Sequence, residues 1–193
     1  IAKDIMDYPS TKNFGNALEN TYQEDIYVGY RYFETFARER VLYPFGYGMS
    51  YTTFTVNAKL IENRKENLTV EVTVQNTGML PGKETVQIYV KSPQGLLGKP
   101  ARVLVDFKKT KTLNPGETQI LQFVIEKRSY ASYDDTGVTG HKNCYVLEAG
   151  TYDIFVGTDV RSAEAIASFK EDGQIVEQLE EVLAPVKAFS RMK

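Results

Sequence analysis

Tryptophan is absent from this sequence, and cysteine and histidine occur once each, as Cys144 and His141. One cysteine excludes an internal disulfide framework and fits a reducing compartment, so a cytoplasmic setting is the expectation. Without Trp and a second Cys, the Cys-Trp-Cys core of antibody-type sandwiches cannot be built. A Ser-His-acid or Cys-His mechanism would have to use His141. That residue follows the loop Asp134-Asp135-Thr136-Gly137-Val138-Thr139-Gly140, with no nucleophile elbow nearby. His141 and Cys144 are spaced as a possible metal pair, but zinc takes three or four ligands and no second cluster accompanies them. A loop histidine beside a buried thiol is the plainer expectation. Net charge is lacking too: 23 basic against 25 acidic side chains give −2. No strong field exists to recruit nucleic acid or an anionic membrane. No apolar run approaches the roughly 20 residues of a membrane helix. Gly46-Tyr47-Gly48 lacks the third glycine and the strand-to-helix setting of a phosphate loop. The expected catalytic, cofactor-binding and metal-binding residues are therefore none.

What is present is a core-forming composition. Thirteen Tyr and ten Phe supply bulky apolar groups, and 193 residues suit one domain of about 100–150 residues with part of a second. From Thr52 to Lys170 the apolar residues recur with a period of two. Phe54, Val56, Ala58 and Leu60 share one face, as do Leu68, Val70, Val72 and Val74. Val86, Ile88 and Val90, then Val103, Val105 and Phe107, then Leu121, Phe123 and Ile125 repeat the pattern. Further strands are expected at 143–147, 151–156 and 165–169. This is the signature of half-buried antiparallel strands. Turn signals separate them at Asn76-Thr77-Gly78, Leu80-Pro81-Gly82, Asn114-Pro115-Gly116 and Ala149-Gly150. Seven or eight strands so arranged predict a mainly β fold, an antiparallel two-sheet sandwich over residues 52–170.

The flanks read differently. Residues 1–51 show no sustained helical period. Tyr27 to Phe33 has strand propensity, Glu34 to Val41 suits a short helix or a loop, and Leu42 to Tyr51 is a Pro/Gly-punctuated connector. Its Phe45, Tyr47 and Tyr51 are expected to be pinned against a domain surface. Ile1-Ala2-Lys3-Asp4 does not read as a signal peptide, and the expectation is the interior of a longer protein. In residues 171–193, Asp172 is expected to cap a helix whose apolar face is Ile175, Val176, Leu179, Val182 and Leu183. Ala184-Pro185 would end it, and Val186 to Phe189 reads as a linker.

Three segments resemble family 3 glycoside hydrolases. Tyr22-Gln23-Glu24-Asp25-Ile26-Tyr27-Val28-Gly29-Tyr30-Arg31-Tyr32-Phe33-Glu34 is similar to the family's segment near the end of its α/β sandwich domain. Tyr43-Pro44-Phe45-Gly46-Tyr47-Gly48-Met49-Ser50-Tyr51-Thr52-Thr53-Phe54 resembles its connector into a fibronectin type III-like domain. Val74-Gln75-Asn76-Thr77-Gly78, Gly82 to Val90, Leu113-Asn114-Pro115-Gly116-Glu117 and Glu148 to Ile154 resemble that domain's strand-and-turn pattern. The resemblance implies a fibronectin type III-like, immunoglobulin-like sandwich, preceded by a fragment of the α/β domain. It also implies a retaining β-glucosidase that uses two carboxylates and no cofactor. In the family a (β/α)8 barrel carries the Asp nucleophile, and the acid/base Glu lies upstream of the first segment. No position here matches either, so Glu24 and Glu34 receive no catalytic role. The implied partners are the barrel and the rest of the α/β domain in the same polypeptide, with an oligosaccharide substrate. Residues 179–193, 131–135 and 144–150 resemble the circularly permuted subgroup, in which the barrel would follow Lys193.

Three smaller readings remain. Asp134-Asp135 is expected to be a pair of solvated loop carboxylates, with a calcium site as the alternative. Asn67-Leu68-Thr69 matches a glycosylation sequon, which matters only in a secretory protein. Tyr130, Tyr133 and Tyr145, read as loop residues, motivate an alternative function as a carbohydrate- or surface-binding module.

Overall fold

Ten strands carry the computed structural model, which describes residues 1–18, 22–184 and 192. They are β1 (Phe54–Asn63), β2 (Asn67–Asn76), β3 (Thr85–Lys91), β4 (Val103–Lys109), β5 (Thr118–Glu126), β6 (Ser132–Asp134), β7 (Cys144–Leu147), β8 (Gly150–Gly157), β9 (Glu164–Glu171) and β10 (Gln174–Gln178). Strands β1-β2-β5 form one antiparallel sheet and β4-β3-β8-β9 a second, facing it. A third, small sheet, β10-β7-β6, is added at the side.

The register follows from the alternation. Leu68 lies opposite Ile125, Val70 opposite Phe123 and Val72 opposite Leu121, so every inward position of β2 meets an inward position of β5. On its other side Val70, Val72 and Val74 face Leu60, Ala58 and Val56 of β1. These side chains meet Val86, Ile88, Val90, Ile154 and Val156 of the opposing sheet in one core. Burying each large aliphatic residue contributes about 1.5–3 kcal/mol. Slipping a strand by one residue would turn its whole apolar set outward.

Two polar devices lock the ends of the core. At the start of β8, the Tyr152 hydroxyl donates to the Glu148 carbonyl oxygen at 2.9 Å while its ring lies fully buried. This is the tyrosine corner of immunoglobulin-like sandwiches. At the other end Asn76 is fully buried. Its Nδ2 donates to the carbonyls of Leu80 and Leu113, both at 2.8 Å. Its Oδ1 accepts from the Thr52 hydroxyl at 2.8 Å and from the Gly78 N–H at 3.0 Å.

The structure corrects four sequence expectations. Tyr27–Phe33 is not a strand. Gly29, at φ +59, turns the chain, and Tyr30–Phe36 form helix α1. Within that β-prone run, Tyr30, Phe33 and Glu34 share a helical face that has a surface to pack on. The expected helix from Asp172 to Leu183 is also replaced. Gly173, at φ +89, turns the chain back, and Gln174–Gln178 pair with the open edge of β7 as strand β10. The linker expected at Val186 to Phe189, with Pro185, lies outside the described residues. Asp134 is fully buried rather than solvated. Tyr130 is buried, and Tyr133 and Tyr145 stand on strands β6 and β7 rather than in loops.

Replacing Asn76 with Ala strands the Leu80 carbonyl and the Thr52 hydroxyl, and leaves the Leu113 carbonyl and the Gly78 N–H only their backbone partners, so a loss of about 3 kcal/mol is expected. Urea unfolding checks this: the midpoint should drop with an unchanged slope, and a shift within error would remove Asn76 from this role.

Candidate functional site

Helix α1 has seven residues, too few to hold together in water alone. Its stability comes from the sandwich rim it sits on. The Tyr30 hydroxyl oxygen accepts the Leu104 N–H at 2.7 Å, and Thr35 Oγ1 accepts the Ala101 N–H at 2.9 Å. Glu34, with a side chain only 7% exposed, receives Arg161 Nε at 2.8 Å on one oxygen and faces Arg38 Nε at 3.4 Å with the other. Arg161 also donates from Nη2 to the Arg38 carbonyl at 2.7 Å. Arg161 stands in the β8–β9 turn, which Asp159 shapes by accepting the N–H groups of Arg161 and Ser162.

The connector follows the helix onto the same surface. The Phe45 ring stacks on Tyr30 with centroids 4.5 Å apart, and its carbonyl accepts the Val160 N–H at 3.0 Å. Gly46, at φ +86, lies so close over the Gln87 amide that no Cβ fits between them. Gln87 in turn donates to the Thr158 carbonyl and accepts from the buried Tyr89 hydroxyl. Burial, then Tyr30 and Asp159, push the Tyr89 phenol above its ordinary range, so it stays a donor. Arg102 donates to the Val160 and Ala163 carbonyls and lies 4.1 Å over the Phe155 ring. Burial and then Arg38 lower its pKa. Phe45 is thus pinned as expected, and Tyr47 packs on Tyr43. Tyr51, 98% exposed, is not pinned. A cavity of about 110 Å³ lies within the N-terminal segment beside this seam, lined by Tyr8, Tyr30, Phe33, Glu34, Tyr43 and Phe45 among others.

The other candidate residues are dispersed. Cys144 is buried and its thiol donates to Gln178 Oε1 at 2.8 Å, whereas His141 is exposed. Among the described residues no three His, Cys, Asp or Glu side chains gather as metal ligands. Glu148 pairs with the buried Lys99 and accepts the Leu96 and Leu97 N–H groups; Glu171 pairs with the buried Lys127. Glu24 keeps one shielded oxygen without a hydrogen-bond partner. Asp134 receives the N–H groups of Gly137, Val138 and Thr139 and the hydroxyls of Thr136 and Thr139. Both oxygens are thereby engaged in closing the 134–139 loop rather than left open for a cation. Burial raises its pKa, but the hydrogen bonds from Thr139, Gly137 and Val138 outweigh that and hold it below the usual aspartate range.

Arg161, Arg102 and Tyr30 were not singled out in the sequence. Arg161 lies 127 positions from Glu34, so no local period links them. A usable signal was Gln87 and Tyr89, polar and aromatic residues on the outward face of an otherwise apolar strand.

A three-stranded sheet facing a four-stranded one, closed by a tyrosine corner, defines a fibronectin type III-like sandwich. The model of the fibronectin type III-like domain matches residues 84–160. The β-glucosidase of Ruminococcus albus is 52% identical over all of this chain, which covers 20% of that protein. β-Glucosidase A of Butyrivibrio fibrisolvens is 42% identical, with all of this chain matching 25% of it. The crystal structure of a β-glucosidase from Paenibacillus barengoltzii superimposes with a TM-score of 0.93 at 51% identity, over 99% of this chain and 22% of that one. The chain belongs to the family 3 glycoside hydrolases of β-glucosidase type, as a region that contains their fibronectin type III-like domain. It spans about a fifth to a quarter of the length of the curated relatives it matches.

Two outcomes follow from this geometry. Arg161→Met leaves Glu34 shielded with only Arg38 beside it. Local opening of residues 30–45 should ease by roughly 2 kcal/mol. Hydrogen exchange should show faster amides there and unchanged amides in β2 and β5; equal acceleration in both would contradict the seam as a separate unit. For Asp134, a folded pKa below the ordinary 3.8 gives stability that is present above that value. It is lost as pH falls through the lowered folded value. The unfolding midpoint should therefore drop as pH is lowered from about 4. Asp134→Ala should cost about 3 kcal/mol at neutral pH and show a shallower acid slope.

Proposed function

We propose that this chain is the accessory, structural region of a retaining β-glucosidase-type glycoside hydrolase that removes terminal β-linked glucosyl or related residues. The nucleophile and the acid/base carboxylates belong to other parts of the same polypeptide: the catalytic barrel and the remainder of the α/β domain. The chain divides into an α/β-domain end and connector (1–51), the sandwich (52–170) and a segment toward a further domain (171–193). The setting is cytoplasmic, consistent with one cysteine kept as a buried thiol.

The observation that carries this reading is the seam, in a chain whose whole length aligns with a fifth of a β-glucosidase. A short helix and an aromatic connector are clamped onto the sandwich by Arg161–Glu34, Tyr30–Leu104 and Phe45–Val160. Retaining hydrolysis needs two carboxylates about 5–5.5 Å apart. When they come from different domains, a rigid buttress sets that separation, and an error of about 1 Å costs roughly 10²-fold in rate. The buried carboxylates here support the division of labour, because Glu34, Glu148 and Glu171 pair with cations and Asp134 is held by its own loop.

The purified chain should not turn over an aryl-β-glucoside; true turnover would overturn the assignment of the active site elsewhere. Exchanged for the matching fifth of the Ruminococcus albus enzyme, the chain should support hydrolysis, and Arg161→Met in that chimera should lower kcat by about tenfold. A folded chimera inert on the aryl-glucoside would refute the accessory role.

A further inference from the structure

Seven strands complete the sandwich, yet residues 131–147 and 174–178 build a third sheet beside it. Its inner face is accounted for: Asp134, Cys144 and Val146 are buried. Its outer face carries a single row that crosses all three strands. Tyr133 of β6 lies directly opposite Tyr145 of β7, and Glu177 of β10 lies opposite Tyr145 on the other side. The two rings stand 5.3 Å apart at 47°. Arg128, from the turn after β5, places its guanidinium 4.1 Å over the Tyr145 ring and donates from Nε to Glu177. Asn143 holds a left-handed backbone, φ +61, with its Oδ1 3.4 Å from the Tyr133 hydroxyl.

We propose that this row, Tyr133-Tyr145-Arg128-Glu177 with Asn143 at its end, is a saccharide-binding platform for a β-linked glucan chain. A glucopyranose with equatorial hydroxyls has apolar C–H faces and a polar perimeter. Those faces match the exposed ring of Tyr133, beside which Arg128 covers Tyr145, and the perimeter matches a guanidinium, a carboxylate and an amide. Tyr133 is the outermost ring of the row, on the edge strand of the sheet, and is 37% exposed. Its position is fixed because the next residue, Asp134, is buried and held by its loop, so little ordering is left to be done on binding. Charge decides against a nucleic-acid strand. The one cation of the row is matched by Glu177, which leaves no excess positive charge for phosphates. The choice of a β-linked glucan rests on the proposed β-glucosidase role; the platform itself rests on the row.

Affinity electrophoresis of the 193-residue chain tests it, in gels containing soluble mixed-linkage β-glucan, soluble starch or no polysaccharide. β-Glucan should retard the chain and starch should not. Tyr133→Ala should lose about fivefold in affinity and Tyr133→Phe should not, with thermal melts showing that each variant is folded at the temperature of the gel. No retardation of the parent, equal retardation in starch, or full retardation of Tyr133→Ala overturns the platform. A chimera that binds β-glucan but hydrolyses nothing would overturn the enzyme role and leave the platform standing.

Discussion

Asn76 is the side chain on which the arrangement of this chain depends. One buried amide joins four stretches: the end of the connector at Thr52, the turn at Gly78, the loop at Leu80 and the approach to β5 at Leu113. The backbone repeats the link, since the Thr77 and Gly78 N–H groups both reach the Thr53 carbonyl. Gly78 packs so tightly on Thr52 that a Cβ there would collide with it. The connector therefore enters β1 at one fixed point and angle. Because β1 is in register with β2 from its first residue, that entry point also fixes where residues 1–51 fall against the rim.

The opposite end is tied through Glu148. Its backbone carbonyl accepts the Tyr152 hydroxyl, while its carboxylate pairs with Lys99 and accepts two N–H groups of the 92–100 loop. A buried ion pair of this kind adds little net stability, because desolvation offsets most of the attraction. What it contributes is a single geometry for the loop. Lys127 with Glu171 plays the same part at the end of β9, before the turn into β10. The desolvated charges thus sit at the ends of the strands, where the apolar pattern no longer dictates the path of the chain.

This division explains what could be read from the sequence. The sandwich strands were legible because each inward residue of β1, β2 and β5 repeats every second position, and only a strand satisfies that period. β10 was not legible. Ile175, Val176, Leu179, Val182 and Leu183 also satisfy a helical spacing, and the outcome was decided by the turn at Gly173, which the helical reading passed over, and by the unpaired edge of β7, which lies outside the segment. Helix α1 failed in the opposite direction, since β-prone Tyr and Phe residues became helical where Gly29 turned the chain onto a waiting surface. Asp134 was misread because its partners are the backbone groups of its own loop, which composition does not reveal.

The seam carries the lesson furthest. β1 alternates half-buried and exposed positions, whereas Val86 to Val90 of β3 are buried without interruption. A strand buried on both faces needs a layer on each side of its sheet. Val86, Ile88 and Val90 face the sandwich core, while Tyr89 belongs to a second cluster with Val160 and Ala163, against which Tyr30 packs. A free-standing sandwich has no use for a fully buried tyrosine and glutamine on its outer face. The outward face of β3 is therefore composed to receive another layer, and the N-terminal segment is the part of that layer this chain supplies. The same test separates the two outer surfaces of the molecule. Tyr89 is covered by protein of the same polypeptide, which marks an internal joint, whereas Tyr133 is left 37% exposed by this chain on an added sheet, the face proposed above for a saccharide.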